Sequence, residues 1–198
     1  MKHDVGVVIL SAGKSERMGQ PKALLQFDDR RRFIDKILEE YLDFGCGNIV
    51  AVVNESGIDY INNKGDIKIV INKRLECGRF YSMKLGMQNI GDMNCCFIQN
   101  IDNPFVNKDI LNLLYSRRDT NLYIVPSYRG KGGHPILIGR KIIDEIKEES
   151  VNDLNLKDYL KRFDRKFVDT EDDKILLNIN TPEDYEKNIK HGLIRKNS

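Results

Sequence analysis

Lys14, Arg17 and Lys22 place three cations among Gly13 and Gly19, directly after the apolar run at residues 5–10, Val-Gly-Val-Val-Ile-Leu. Glycine lets a backbone come close to a ligand. Successive N–H groups in such a loop form a concavity for anions. Ammonium and guanidinium groups beside it suit a polyphosphate. An apolar strand feeding this loop reads as a nucleotide site, with Leu10, Ser11, Ala12, Gly13, Lys14, Ser15 and Lys22 as its candidate residues. The loop is not a P-loop: that motif needs a glycine five residues before its Gly-Lys pair, and Val8 stands there. No G-x-G-x-x-G run opens a helix.

Four further groups follow. Asn100-Ile101-Asp102-Asn103-Pro104 comes after an apolar strand at residues 95–99. A carboxylate at a strand's carboxyl end can hold Mg²⁺, which takes oxygen ligands from one or two carboxylates and substrate phosphates; the same residues also make an ordinary turn. Asn178-Ile179-Asn180-Thr181-Pro182-Glu183-Asp184 marks a helix start, with Thr181 as N-cap, Pro182 first in the helix and Asp184 three residues after the cap. Residues 72–86 carry Asn72, Gly78 and Ser82 among Lys73, Arg74, Arg79 and Lys84, charges that suit a solvated face. Gly130-Lys131-Gly132-Gly133-His134-Pro135 precedes the apolar Ile136-Leu137-Ile138. His134 reads either as a donor to a bound phosphate or as a hydrogen-bonded structural histidine, whereas His3 and His191 sit at the termini. There is no Ser-His-Asp order and no H-E-x-x-H, which removes the common hydrolase readings.

The elements that must hold these groups alternate. Continuous apolar runs predict strands at 5–10, 48–53, 67–71, 95–99 and 121–125. Helical spacing predicts helices at 33–41, 58–62, 80–90 and 108–115. Further on, 134–138, 167–168 and 175–179 read as strands, and 140–147, 154–160 and 183–189 as helices, with fraying from about His191. The βαβα order argues for an α/β fold, a mostly parallel sheet with helices on both faces.

The 198 residues fit one domain, and 40% hydrophobic with 31% charged residues is an ordinary globular mixture. A formal charge of +2 is too balanced to argue for nucleic acid. No apolar run nears the roughly 20 residues that span a bilayer, and Met1-Lys2-His3-Asp4 leads into a strand without a secretory h-region. Cys46, Cys77, Cys95 and Cys96 lack C-x-x-C spacing and read as buried free thiols. These features point to the cytoplasm.

The stretch from Ser11 to Leu25 resembles the G-x-S-x-R-M-G-x-P-K-x-L-L motif of the MobA-like nucleotidyltransferases, a family that includes molybdenum-cofactor cytidylyl- and guanylyltransferases. The other four groups are similar, in order, to the family's N-x(5)-G-x(3)-S, D-x-P, G-H-P and N-I-N-T-P-E-D elements. The resemblance implies a three-layer sandwich with a Rossmann-like central sheet, the nucleotide-diphospho-sugar transferase fold, in a single domain spanning 1–198. Its nucleotide half would cover about 1–105 and its acceptor half about 106–190. It implies that Asp102 and Asn180 bind Mg²⁺, that Asn72, Gly78 and Ser82 border the nucleotide, and that Gly133 and His134 face the acceptor. Asn180 offers a neutral amide oxygen, a weaker ligand than a carboxylate.

The chemistry so implied is attack by an acceptor phosphate on the α-phosphorus of an NTP. Lys22 would neutralise the α-phosphate, Arg17 and Lys14 would hold the departing β and γ groups, and Asp102 would carry the metal. Ala12 and the Pro21-Lys22 pair lean toward CTP, although Ser11 departs from both cytidylyl and guanylyl patterns. Residues 27–32, Phe-Asp-Asp-Arg-Arg-Arg, replace a glycine turn and read as a polar turn or an acceptor contact. Molybdopterin is the expected acceptor, with a molybdoenzyme as a further partner. A sugar, polyol or choline-type phosphate acceptor, and a non-catalytic nucleotide-binding accessory protein, are the alternatives.

Overall fold

In a computed structural model, which describes residues 2–58 and 67–190, strand β1 (Lys2–Ser11) lies in the middle of the sheet. Val5, Val7, Val8 and Ile9 have no exposed surface, as expected for a strand covered on both faces. Strands β2 (Cys46–Val53) and β4 (Cys95–Asn100) flank it in parallel, and β3 (Ile67–Ile71) extends the parallel set beyond β2. Beyond β4 the direction changes. β7 (Ile136–Gly139) is antiparallel to β4 and to β5 (Tyr123–Tyr128); β6 (Lys131–Gly132) is antiparallel to β5, and β8 (Arg165–Asp169) runs parallel to it. The eight strands follow the order β3-β2-β1-β4-β7-β5-β6, with β8 on β5.

The alternation of side chains along β1 divides the core in two. Val5, Val7 and Ile9 face helices α1 (Phe33–Phe44) and α3 (Lys108–Ser116), whose Ile34, Ile37, Tyr41, Leu111 and Leu114 form one cluster. Val8 and Leu10 face α2 (Gly78–Asn89), α4 (Arg140–Glu148) and the short α5 (Leu156–Leu160), through Phe80, Met83, Met87, Ile142 and Ile146. Gly86 lets α2 lie close on β1: a Cβ there would come within 2.3 Å of a Val8 methyl. The result is a three-layer α/β sandwich with a mixed, mostly parallel sheet. The chain closes with α6 (Pro182–Tyr185), which continues as a π-helical turn, Glu186–Lys190.

Several expectations need correction. Residues 175–179 are not a strand; a 3-10 turn, Asp173–Leu176, is followed by extended chain outside any ladder. Both sides of β5 are already paired, and the chain turns back across the carboxyl ends of the strands instead. The fifth strand lies at Tyr123–Tyr128, later than expected. It continues into β6 through a two-residue turn in which Arg129 (φ 48) and Gly130 (φ 75) both adopt left-handed conformations, the geometry that matches strand twist in tight hairpins. The seventh strand starts at Ile136, and α5 at Leu156, where Asn155 caps it. Most of the helix expected at 58–62 and the end from His191 lie outside the described residues. All four cysteines are free and buried. Burial pushes the Cys46 and Cys95 thiols up to about 12. No helix among the described residues is long and apolar enough to cross a membrane.

Candidate active site

Because β1 to β4 are parallel, their carboxyl ends open on one rim, where ligands of open α/β sheets bind. Ser11, Asn54, Asn72 and Asp102 all leave from that rim. The antiparallel register of β4 with β7 pairs Ile98 with Ile136. Two residues after Ile98 and two before Ile136, Asn100 and His134 face each other, with the Asn100 Nδ2 3.3 Å from Nε2 and 3.4 Å from Nδ1 of the ring.

The loop leaving β1 is shaped locally. Ser15 takes a left-handed conformation (φ 54, ψ 28), which costs a non-glycine residue about 1–2 kcal/mol. Its carbonyl accepts from the N–H groups of Met18 (3.0 Å) and Gly19 (3.1 Å). Met18, Ala23 and Leu25 are buried in the α1 cluster and anchor the loop, and Leu25 O accepts from Phe33 N at 2.8 Å. Two adjoining clefts share Lys14, Ser15 and Lys22: one includes Ser11, Gly13, Pro21, Asn54 and Ser56, and the other includes Glu16, Arg17 and Asn180. Asn54 and Ser56 were missed by sequence reasoning; their position just after β2 was the available signal. Leu10 and Ala12 are buried and line neither cleft.

Lys22, Asp102 and Asn180 meet although they are far apart in sequence. The Lys22 Nζ donates to Asn180 Oδ1 at 2.7 Å and lies 3.6 Å from Asp102 Oδ2. Burial lowers the lysine's pKa, with Arg17 adding to the shift against the opposing pull of Asp102. The second carboxylate oxygen, Asp102 Oδ1, is buried with no hydrogen-bond partner. A cation already occupying the junction, beside an unpartnered anionic oxygen, fits a hard divalent ion. Among the described residues no group of three or more His, Cys, Asp or Glu side chains could hold a metal. The Asp102–Asn180 pair therefore suits an ion that takes its other ligands from phosphates and water, as Mg²⁺ does.

Asn180 is placed by the start of α6. The Asp184 carboxylate accepts from Asn180 N (2.9 Å) and Thr181 N (3.0 Å), and Thr181 Oγ1 accepts from Asp184 N (3.2 Å). These form the capping box expected from the sequence, extended by one residue to Asn180. The hydrogen bond from Asn180 N is the main cause that lowers the Asp184 pKa. Ile179 N also donates to Asp102 O at 2.7 Å, joining the segments that carry Asp102 and Asn180.

Asn72, Gly78 and Ser82 are brought together at the ends of β3 and α2. Asn72 Nδ2 donates to Ser82 Oγ at 2.9 Å, and Asn72 Oδ1 accepts from Arg74 N at 2.7 Å. Both side chains are buried, and neither cleft at the β1 loop is lined by any of the three. Gly133 N donates to Pro126 O (2.8 Å) and His134 N to Ile175 O (2.9 Å). Burial lowers the His134 pKa, opposed by Asp102 and helped by Arg79. Residues 27–32 form a polar turn, tied to α1 by the ion pair of Arg31 with Glu39. The Asp28 carboxylate accepts from Arg30 N, Arg31 N and the Arg31 side chain. Burial alone would raise its pKa; these hydrogen bonds outweigh that and hold it at about 2.

Residues 7–167 match the family model described as the MobA-like NTP transferase domain. The chain is 29% identical over 185 residues to the molybdenum cofactor cytidylyltransferase of Escherichia coli (strain K12), covering 91% of this chain and 93% of that protein. It is 27% identical over 211 residues to a probable molybdenum cofactor guanylyltransferase of Natranaerobius thermophilus, covering 96% and 98%. The crystal structure of molybdopterin-guanine dinucleotide biosynthesis protein A from Archaeoglobus fulgidus superposes with a TM-score of 0.69 at 18% identity, over 98% of this chain and 100% of that one. A nucleotidyl transferase from Methanothermobacter thermautotroptrophicus gives 0.79 at 19% identity, over 97% and 98%. At these identities the two structures establish the shared nucleotide-diphospho-sugar transferase fold.

Proposed function

Because the chain belongs to the MobA-like NTP transferase family, and is therefore a nucleotidyltransferase, we propose that it moves the CMP group of CTP onto the phosphate of molybdopterin and releases pyrophosphate. The observation that carries this reading is the meeting of Lys22, Asp102 and Asn180 at the mouth of the basic loop. The names of the cytidylyl- and guanylyltransferase relatives favour molybdopterin as acceptor. Ala12 and Pro21-Lys22 favour CTP over GTP.

In this reading an acceptor phosphate oxygen bonds to the α-phosphorus while the bond from that phosphorus to the pyrophosphate oxygen breaks. Such transfers need positioning and charge stabilisation, not covalent help from the protein. Lys22 neutralises charge at the α-phosphate; Arg17, Lys14 and the amides around Gly13 hold the departing groups. Asp102 and Asn180 would hold Mg²⁺, which would supply Lewis-acid charge to the substrate phosphates. Asn72 and Ser82 brace each other and shape the wall behind Gly78. In this reading Gly133 and His134 face the acceptor, with a nucleotide half at about 1–105 and an acceptor half at about 106–190 of one domain. Four free, buried thiols support a reducing, cytoplasmic setting.

The test is pyrophosphate release with each of the four NTPs, Mg²⁺ and a panel of phosphorylated acceptors. Release with CTP and molybdopterin is expected. Preference for GTP would move the protein to guanylyl transfer, preference for a sugar or choline phosphate would change the acceptor, and no release with any pair would overturn the reading.

A further inference from the structure

We propose that Asn103 is a positioning residue, one that sets the separation of Asp102 and Asn180 by clamping the segment that carries Asn180 to the end of β4. The inference rests on the reading that these two residues hold a divalent cation.

The segment from residue 173 to 180 belongs to no β-ladder, so no strand pairing fixes it. A buried amide does so instead. Asn103 has no exposed surface. Its Nδ2 lies 2.6 Å from Leu177 O and 3.4 Å from both Lys174 O and Ile175 O. Its own Oδ1 has no hydrogen-bond partner. The side chain therefore serves as a donor, and turning the amide over would set an oxygen against three carbonyls.

Asn103 is itself held from behind. Its carbonyl accepts from Gln99 Nε2 at 2.8 Å, and its N–H donates to Asn100 O at 3.2 Å. Gln99, also without exposed surface, accepts from the Tyr41 hydroxyl at 3.0 Å. The chain of bonds thus runs from α1 through β4 to Leu177. Asn103 follows Asp102 directly, and Leu177 lies three residues before Asn180. Together with the Ile179 N to Asp102 O bond, it makes a two-point clamp across the cation pair. A site built from one carboxylate and one neutral amide has little charge to draw an ion in, so it depends on spacing. Outer partners of metal ligands are worth about 10–100-fold in metal affinity.

The experiment measures Mn²⁺ binding by electron paramagnetic resonance with saturating CTP and no acceptor. It compares the full chain with Asn103→Ala and the near-isosteric Asn103→Leu, which lacks the donor but fills the space. CTP binding without metal is measured by calorimetry, and Ile143→Val, far away in the α4 core, controls for stability loss. Expected are about 10–100-fold weaker Mn²⁺ binding in both Asn103 variants, CTP binding without metal within about twofold because the β1 loop is untouched, and unchanged Mn²⁺ binding in Ile143→Val. If the Asn103 variants unfold more easily but keep wild-type Mn²⁺ affinity when folded, Asn103 is structural only and the proposal fails. Asp102→Asn separates the two levels: unchanged Mn²⁺ binding there overturns the metal site itself, whereas loss there with no effect at Asn103 overturns only the clamp.

Discussion

The loop from Ser11 to Leu25 and the segment from residue 173 to Asp184 deliver Lys22 and Asn180 to the same point by opposite routes. The loop closes on itself: Met18 and Gly19 donate to Ser15, Leu24 to Pro21, and Leu25 to Lys22, within four residues each time. Its own Met18, Ala23 and Leu25 anchor it in the core. The later segment is capped locally at Asn180 and Thr181, but its ties to the sheet come from elsewhere. Asn103, Asp102 and His134 meet its backbone in hydrogen bonds from more than 40 positions away. One half of the site is therefore written in contiguous sequence, and the other exists only once the sheet has formed.

This contrast can be broken at several points. Lys22→Ala removes the one charge that both regions share; turnover measured by pyrophosphate release is expected to fall by about 10²-fold or more, and survival within a factor of two refutes the shared role. Glycines offer the next contrast. A Cβ on Gly133 would sit 2.5 Å from Ile175 O, whereas one on Gly13 meets nothing within 4 Å. Gly133→Ala is expected to cost about 1–3 kcal/mol in urea unfolding, and Gly13→Ala to stay within about 0.5 kcal/mol; equal costs would erase the distinction.

Asp184→Ala deletes the acceptor for Asn180 N and Thr181 N and is expected to cost about 1 kcal/mol at neutral pH. The folded carboxyl has a pKa below the ordinary 3.8, so its contribution is complete above that pH and fades as pH falls through the lowered value. Wild type and variant should therefore converge in acid unfolding series. The smallest effect concerns His134. Its folded pKa lies below the ordinary 6.5, so the unfolded chain takes up the proton first. Stability should be unaffected above pH 6.5 and decline on acidification below it. His134→Gln should flatten that part of the profile, and a profile identical to wild type would show that the ring is not the group responsible.

What could be read from the sequence divides along the same line. Residues 5–10 and 95–99 announced strands because apolar runs of that length are buried on both faces; 67–71 read the same way although it forms the half-exposed edge strand β3. Thr181, Pro182 and Asp184 announced a helix start because capping is a local matter. The run Ile-Leu-Leu-Asn-Ile at 175–179 looked like another strand for the same compositional reason. Composition does not say that β5 is already paired on both sides. Asn103 was visible only as a turn residue, since the carbonyls it serves lie more than 70 positions later. The hairpin at Arg129-Gly130 was signalled by one glycine in a glycine-rich stretch, too little to place β6.

The ammonium of Lys22 gives the resting cleft a built-in counter-ion for Asp102. On the proposed reading, a divalent ion held by Asp102 would release that ammonium to a phosphate in the same cleft. Ion and triphosphate would then be coupled through one side chain, each tightening the other by the same factor.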